Sequence, residues 1–313
     1  MSKFKMPSNI IPTTDEEANK DRIILEGLKT NSLISNAVAN TKALILEQAP
    51  DTPEQGVFSF LPTTLTRVSP FFPLSKRDKN RTLPPEGLCF ESSWGRMIIK
   101  GDKLSIYDET VLLACLSLMR KHKSETFETT RHELCKVMNV TPCRNTYNAI
   151  WKALDRLTGA KISLEIWEPK SKKKKTKRRM TNTILAGAVE DEDTGKLSIT
   201  INQYFLEMYA ENFVTNINLE FRARLKGDCS KGIYRFLRSQ SGMTYECHLL
   251  TLCNAINLDV TMPLHRLRTR IRDAFRELKK AGYIKKSMVM KNDIIKVWKK
   301  PKGGTCAIEG TKR

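Results

Sequence analysis

Two stretches of this chain repeat the same pattern of apolar and helix-starting residues, and this repeat limits the folds open to it. The segment Leu134–Val140 is matched by Leu252–Leu258, and both begin with Leu-Cys. Further identities then follow at a slightly longer spacing: Pro142, Ile150, Ala153, Leu157 and Ala160 match Pro263, Ile271, Ala274, Leu278 and Ala281. Apolar spacing alone forces some agreement between amphipathic helices. The shared Leu-Cys and proline, in register with the predicted elements, nevertheless favour a duplicated unit.

Both copies of the repeat have the same order of predicted elements. The first has helices starting at Ser105, Thr130 and Pro142, then strands Lys161–Trp167, Thr181–Val189 and Lys196–Ile201, with a basic loop and the acidic turn Glu190–Gly195 between them. The second has helices Leu225–Gln240, Leu249–Ile256 and Pro263–Lys280, then a hairpin of Tyr283–Met290 and Ile294–Trp298. Three helices followed by a hairpin are typical of a winged helix, whose third helix enters the DNA major groove.

The sequence therefore predicts an α+β fold, mainly helical, with two tandem winged-helix domains. We predict a flexible N-terminal arm over residues 1–82, the two domains over 83–212 and 213–300, and a flexible tail over 301–313. The arm is rich in proline, which favours irregular structure. A length of 313 residues also agrees with two domains.

The charge of the chain is concentrated in two blocks. Lys and Arg outnumber Asp and Glu by 54 to 34, which gives a net charge of +20. Nearly all of the surplus lies in Lys170–Arg179 and in Met262–Lys300. Such a surplus indicates a polyanionic partner, and two compact blocks indicate two contact sites on it.

The sequence lacks the residues that several classes of protein need for their function. The eight cysteines are scattered singly without a C-x-x-C pair, and the four histidines are isolated, so we predict buried thiols in a reducing compartment and no metal site. No phosphate-binding G-x-x-x-x-G-K-[ST] loop occurs, so neither a cofactor nor catalysis is expected. Without a membrane-length apolar run or a signal-peptide core, the protein is expected in the cytoplasm.

The helix that begins at Pro263 is the strongest candidate for reading DNA. Its apolar residues form one stripe at steps of three and four, which leaves arginines on the opposite face. Proline in the first turn marks the leading end, and recognition helices present that end to base edges. The predicted contacts are His265, Arg266, Thr269 and Arg270. The alternative is a solvated basic face on a purely structural helix.

The matching first-domain helix and the basic loop supply the other predicted DNA contacts. On the helix, the outward residues are Arg144, Asn145, Asn148 and Lys152, while Trp151 falls in the apolar stripe and is predicted to be core. The loop is predicted to be a mobile wing tip that adds affinity more than specificity. Its predicted contacts are Lys172, Lys173, Lys174, Lys175, Lys177, Arg178 and Arg179.

Read as one piece, residues Leu83–Lys300 resemble the TrfA family of plasmid replication initiators and, more distantly, the RepC-type initiators. The matching motifs are Leu104–Val111, Glu133–Cys135, Leu154–Leu157 with Ala160, Tyr234–Leu237, Leu252–Cys253, and Arg270–Leu278 before Gly282. The resemblance implies that monomers bind directly repeated double-stranded sites in a plasmid origin, help to open an A·T-rich segment, and recruit the host helicase or its loader and the polymerase. It also implies a monomer–dimer equilibrium in which dimers limit copy number.

Members of the TrfA family also carry a peptide that binds the polymerase sliding clamp, upstream of the first domain. The matching place here is Gln55–Phe60, with Gln55, Phe58 and Phe60 as the predicted clamp contacts. The sequence departs from the family pattern at Phe58, where leucine is usual, and at Gly56. A hydrophobic segment that docks on its own domain is the alternative.

Two other function classes remain open from the sequence. A winged-helix transcription regulator would bind a single palindromic operator as a symmetric dimer, whereas two unequal domains in one chain favour a directly repeated site. An enzyme such as a primase or a nicking relaxase would cleave or prime origin DNA in the presence of magnesium.

Overall fold

The computed structural model describes residues 58–67, 69–74, 81–91, 95–167, 176–210, 214–290 and 292–300. The predicted mixture of helices and strands is confirmed. The first elements are β1 (Phe58–Pro62), α1 (Thr63–Arg67), β2 (Phe71–Phe72), β3 (Leu88–Glu91), β4 (Gly95–Lys100) and β5 (Leu104–Ser105). None of the helices in these ranges has the length and apolarity needed to cross a bilayer.

Two units follow that share the order helix, strand, two helices and a closing pair of strands, and the first unit has two additional strands before that pair. The first unit comprises α2 (Ile106–His122), β6 (Thr126–Thr130), α3 (Arg131–Met138), α4 (Arg144–Gly159), β7 (Lys161–Trp167), β8 (Thr176–Thr183), β9 (Leu185–Asp191) and β10 (Lys196–Ile201). The connecting elements are α5 (Gln203–Ala210), β11 (Val214–Asn218) and α6 (Leu219–Arg224). The second unit comprises α7 (Asp228–Arg238), β12 (Thr244–His248), α8 (Leu249–Ala255), α9 (Leu264–Lys280), β13 (Ile284–Val289) and β14 (Ile294–Lys299).

The repeat seen in the sequence is also a repeat of backbone geometry. Each unit has a three-stranded sheet whose last strand lies in the middle, in the orders β6-β10-β9 and β12-β14-β13. After α3 and α8, Asn139 and Asn257 both have a left-handed backbone, with φ of 53° and 54°. The residues that follow, Val140 and Leu258, donate backbone hydrogen bonds to Cys135 and Cys253 at 3.0 and 2.8 Å. The turn between the last two helices of each unit therefore begins in the same way.

The start of α2 shows why this segment is helical. The Ser105 hydroxyl accepts a hydrogen bond from the backbone N–H of Asp108, and the Asp108 carboxylate accepts one from the backbone N–H of Ser105 at 2.6 Å. This reciprocal capping box satisfies two backbone donors that a helix start leaves free. The same carboxylate pairs with Arg156 of α4 at 2.5 Å, so the cap also holds α2 against α4.

One predicted strand of the first unit is wrong. Residues Thr181–Val189 were expected to form a single return strand, but the chain changes sheets at the buried Ile184. Strand β8 pairs with β7 in the sheet β3-β4-β7-β8, whereas β9 pairs with β10. The basic loop therefore belongs to the β7–β8 hairpin, and the counterpart of the β13–β14 hairpin is β9–β10 with its acidic turn. Alternation of apolar residues gives no signal for such a change of partner.

The N-terminal boundary also differs from the prediction. The predicted arm extended to residue 82, but within it Leu61, Leu65 and Phe71 are fully buried. Strand β1 pairs antiparallel with β11, from Phe58 opposite Asn218 to Pro62 opposite Val214. These partners lie far away in the sequence, so the local proline content suggested a flexible segment where tertiary contacts provide a folded one.

The two units share one continuous hydrophobic core. One cluster of buried apolar side chains runs from Leu61 to Val297 and includes residues of both units. At the boundary, the Glu109 carboxylate of α2 lies 2.7 Å from Arg235 of α7 and 3.1 Å from Arg222 of α6. All three side chains are at most 1% exposed. The predicted domains 83–212 and 213–300 therefore share a core and a buried ion-pair network.

Candidate nucleic-acid interface

The leading end of α9 presents the polar residues that the sequence predicted. Leu267, Ile271, Ala274, Phe275 and Leu278 form the buried side of the helix, which confirms most of the predicted stripe. Leu264 is an exception, because it is exposed at the first position of the helix. On the outer side, the exposed residues of the first turns are His265, Arg266 and Thr269.

Arg270 lies differently from Arg266. Its side chain is half-buried, and its Nη1 atom lies 3.8 Å from the sulfur of Met262. Arg270 also lines a cavity of about 790 Å³ between β3 and the segment that connects α8 to α9. Of the two arginines predicted to contact bases, Arg266 is thus the more exposed in the free protein.

Arg268 ties α9 to the adjacent β13–β14 hairpin, a contact that the sequence analysis missed. Its guanidinium donates to the Asp293 carboxylate through Nε at 2.6 Å and Nη2 at 2.8 Å. Asp293 lies in the β13–β14 turn with a φ of 60°, and the hydrogen bonds from Arg268 lower the pKa of its carboxyl. A bidentate pair of this kind fixes orientation as well as distance. It holds the hairpin turn beside the leading half of α9.

The first-unit helix α4 places its four predicted contacts on the surface. Its buried side consists of Ile150, Ala153, Leu154 and Leu157, the same positions as in α9 according to the sequence repeat. The side chains that face outward are Arg144, Asn145, Asn148 and Lys152. Trp151, which was predicted to be core, is 37% exposed. It lies at the edge of the stripe, where the neighbouring α3 covers only part of the ring.

The basic strand β8 lies beside α4, and two of its arginines were predicted contacts. Arg179 is exposed and lies 3.2 Å from the Glu165 carboxylate of β7, while Arg178 is half-buried. Lys177 belongs to the same strand. The four lysines Lys172–Lys175 lie outside the described residues. Lys177, Arg178 and Arg179, the described end of the basic segment, therefore lie on strand β8 of the first unit.

Glu165 is an acidic residue of β7 with three hydrogen-bond donors around it. The Thr176 hydroxyl, followed by Arg96, lowers the pKa of its carboxyl to about 2. Arg96 donates to Glu165 Oε2 from Nε at 3.1 Å and from Nη2 at 2.5 Å. Glu165 thus joins β4, β7 and β8.

This lowered pKa gives a testable pH dependence. A carboxyl with a folded-state pKa below its unfolded value of about 4.3 stabilises the fold above that pH. The contribution is lost as the pH falls toward 2. We expect Glu165→Gln to be less stable at neutral pH and to lose less further stability between pH 4.5 and 2 than the wild type, as measured by thermal unfolding. Glu128→Gln, in an exposed pair with Lys196, is the control and should keep the wild-type slope.

The predicted clamp contacts have two different outcomes. Gln55 lies outside the described residues. Phe58 and Phe60 are part of β1, whose backbone pairs with β11. An extended peptide whose backbone is already paired must leave that partner before it can add to another surface. The clamp contacts remain a prediction.

The described residues hold no cluster of three or more His, Cys, Asp or Glu side chains arranged to bind a metal ion. Seven cysteines are described and all are free thiols, of which Cys89 and Cys143 are exposed. Burial raises the pKa of the Cys115 thiol to about 12. Cations, amides and a hydroxyl face solvent along α4 and α9, beside the exposed carboxylates Asp155 and Asp273. Cations, amides and hydroxyls are suited to bind phosphates and base edges.

The chain is similar to known proteins in fold and in sequence. No curated protein matches the chain. Among solved structures, the chain is similar to domains 2 and 3 of RctB, with 14% identity and a TM-score of 0.52 over 76% of this chain and 98% of the RctB chain. A structure of the Pi initiator protein in complex with iteron DNA matches at 11% identity and a TM-score of 0.46, over 79% of this chain and 99% of the other. The likeness to RctB concerns the fold alone.

The sequence also matches the family described as Replication initiator protein A over residues 67–285. This match covers the first unit, the second unit as far as the start of β13, and more than half of the chain. It agrees with the resemblance to plasmid initiators that the motifs indicated, and the chain belongs to the replication initiator protein A family.

Proposed function

We propose that this replication initiator binds directly repeated double-stranded DNA at a plasmid origin through two winged-helix domains, one in each unit. The observation that carries the proposal is the repeated arrangement of strand, two helices and hairpin, with an exposed polar face on α4 and on α9. In a winged helix, the corresponding helix enters the major groove. Two fused, unequal units fit a site without two-fold symmetry.

The proposal includes the events that follow binding. The bound protein recruits the host helicase or its loader, with the sliding clamp as a further partner, and a monomer–dimer equilibrium limits copy number. The protein acts in the cytoplasm and is not an enzyme. The family membership supports a role in initiation, and the resemblance to plasmid initiators supports recruitment and copy control.

Footprinting on the parent plasmid's origin tests the proposal. We expect protection of several elements that repeat in the same orientation. Protection of one palindromic operator would instead favour a transcription regulator. The same protein, incubated with origin DNA and magnesium, is expected to leave every strand intact, and a cleaved or primed product would contradict a non-enzymatic role.

Neutralising Lys172–Lys175 to Gln is expected to weaken specific and random DNA binding alike. Contacts to phosphate carry no sequence information. Each lost contact is expected to lower the slope of log affinity against log salt by about 0.9. Titrations of both duplexes at several salt concentrations measure this slope. A loss confined to the specific duplex would contradict the assignment of this loop to phosphates.

A further inference from the structure

Trp151 is a large aromatic residue that the packing of the first unit leaves partly uncovered. It lies on the same side of α4 as Arg144, Asn148 and Asp155, at steps of three and four residues. Its side chain is 37% exposed, although the residue before it, Ile150, is fully buried. Exposed aromatic rings on an otherwise polar surface are frequent at binding sites.

The exposed ring is held in place by two neighbouring elements. The Arg131 guanidinium of α3 lies 5.8 Å from the centre of the Trp151 ring. Arg131 in turn pairs with the Glu190 carboxylate of β9, and the side chains of Arg131 and Glu190 are 27% and 14% exposed. A ring fixed in this way loses little conformational freedom on binding. The residue is 37% exposed, so part of the ring remains available to a ligand.

We propose that Trp151 contacts the 5-methyl group of a thymine in the major groove when α4 binds DNA. This inference rests on the proposed function. The thymine methyl is the apolar group that a base pair presents in that groove, and apolar side chains read it by contact. Asn148, one turn earlier on the same side of the helix, is of the residue type that pairs bidentately with adenine. With these two side chains, α4 contacts a site that contains an A·T base pair.

The test uses the full-length protein and a duplex with one repeat protected in footprinting, with each thymine replaced in turn by deoxyuridine. Removing one methyl is expected to lower wild-type affinity by about fourfold at one position. Trp151→Ala is expected to lose about tenfold in affinity for the unmodified duplex and to be insensitive to deoxyuridine at that position. Trp151→Phe keeps an aromatic edge and is expected to retain the sensitivity.

Two controls make the result specific. Tyr204→Ala removes a 54% exposed aromatic residue of α5, outside α4 and α9, and is expected to bind as the wild type does. Circular dichroism and thermal unfolding should show that Trp151→Ala is folded, because the ring is only partly buried. The inference is overturned if Trp151→Ala binds within twofold of the wild type, or if it responds to deoxyuridine at the same position. If the wild type protects no repeat, the proposed function itself fails.

Discussion

Arg266→Ala is expected to lower the affinity for the specific repeat by about five- to 150-fold, while affinity for random DNA falls only slightly. An arginine fork that pairs with guanine O6 and N7 contributes about 1–3 kcal/mol of discrimination. Arg266 is exposed in the first turn of α9, and within the described part of the chain no ion pair or hydrogen bond holds its side chain. Competition titrations with specific and random duplexes measure the ratio of the two affinities.

A control lies on the same helix. Arg276 is 77% exposed and pairs with Asp273 at 2.7 Å, but it lies near the end of α9, away from the leading turns. Arg276→Ala removes the same charge and should change both affinities equally and only slightly. If Arg276→Ala and Arg266→Ala have the same effect, the leading end of α9 does not read bases.

Glu109→Ala is expected to lower the free energy of unfolding by about 3–5 kcal/mol, the usual effect of removing one partner from a buried ion pair. Glu109 is fully buried between Arg222 and Arg235. Burial lowers the pKa of Arg235, and the charge of Glu109 opposes this effect. Without the carboxylate, two cations would remain close together in a region of low polarity. Urea unfolding followed by circular dichroism measures the change.

The matched control is Glu128→Ala. Glu128 pairs with Lys196 at 3.4 Å, and both side chains are more than half exposed, so the expected loss is below about 1 kcal/mol. Glu109→Gln keeps the size of the side chain and should fall between the two. If Glu109→Ala lowers the free energy of unfolding by less than about 1 kcal/mol, groups other than Glu109 compensate the charges of the two arginines.

Most helices could be predicted from the sequence because their signals are local. The prediction for the third helix of the second unit, Pro263–Lys280, differs from the observed α9 by one residue. Strands Lys161–Trp167 and Lys196–Ile201 were predicted with the observed bounds. Apolar spacing fixes which side of a helix is buried, and alternation marks a half-buried strand. The four outward residues of α4 followed from this spacing alone.

The sequence analysis missed the strands that precede α3 and α8. Strands β6 and β12 are five residues each, and their polar sequences Thr126–Thr130 and Thr244–His248 carry no strong apolar pattern. Each forms an edge of a three-stranded sheet. Their pairing depends on β10 and β14, which come much later in the chain, so no local signal could reveal them.

The sequence by itself determined the duplicated unit, the amphipathic helices α4 and α9, and the clustering of charge, because periodicity and composition are local properties of the chain. The tertiary structure alone decided that Leu61, Leu65 and Phe71 pack in the core, that the chain changes sheets at Ile184, and that Trp151 is exposed. It also decided that Glu109 joins the two units. Each of these depends on which distant residues meet, and that is set by the packing of the whole chain.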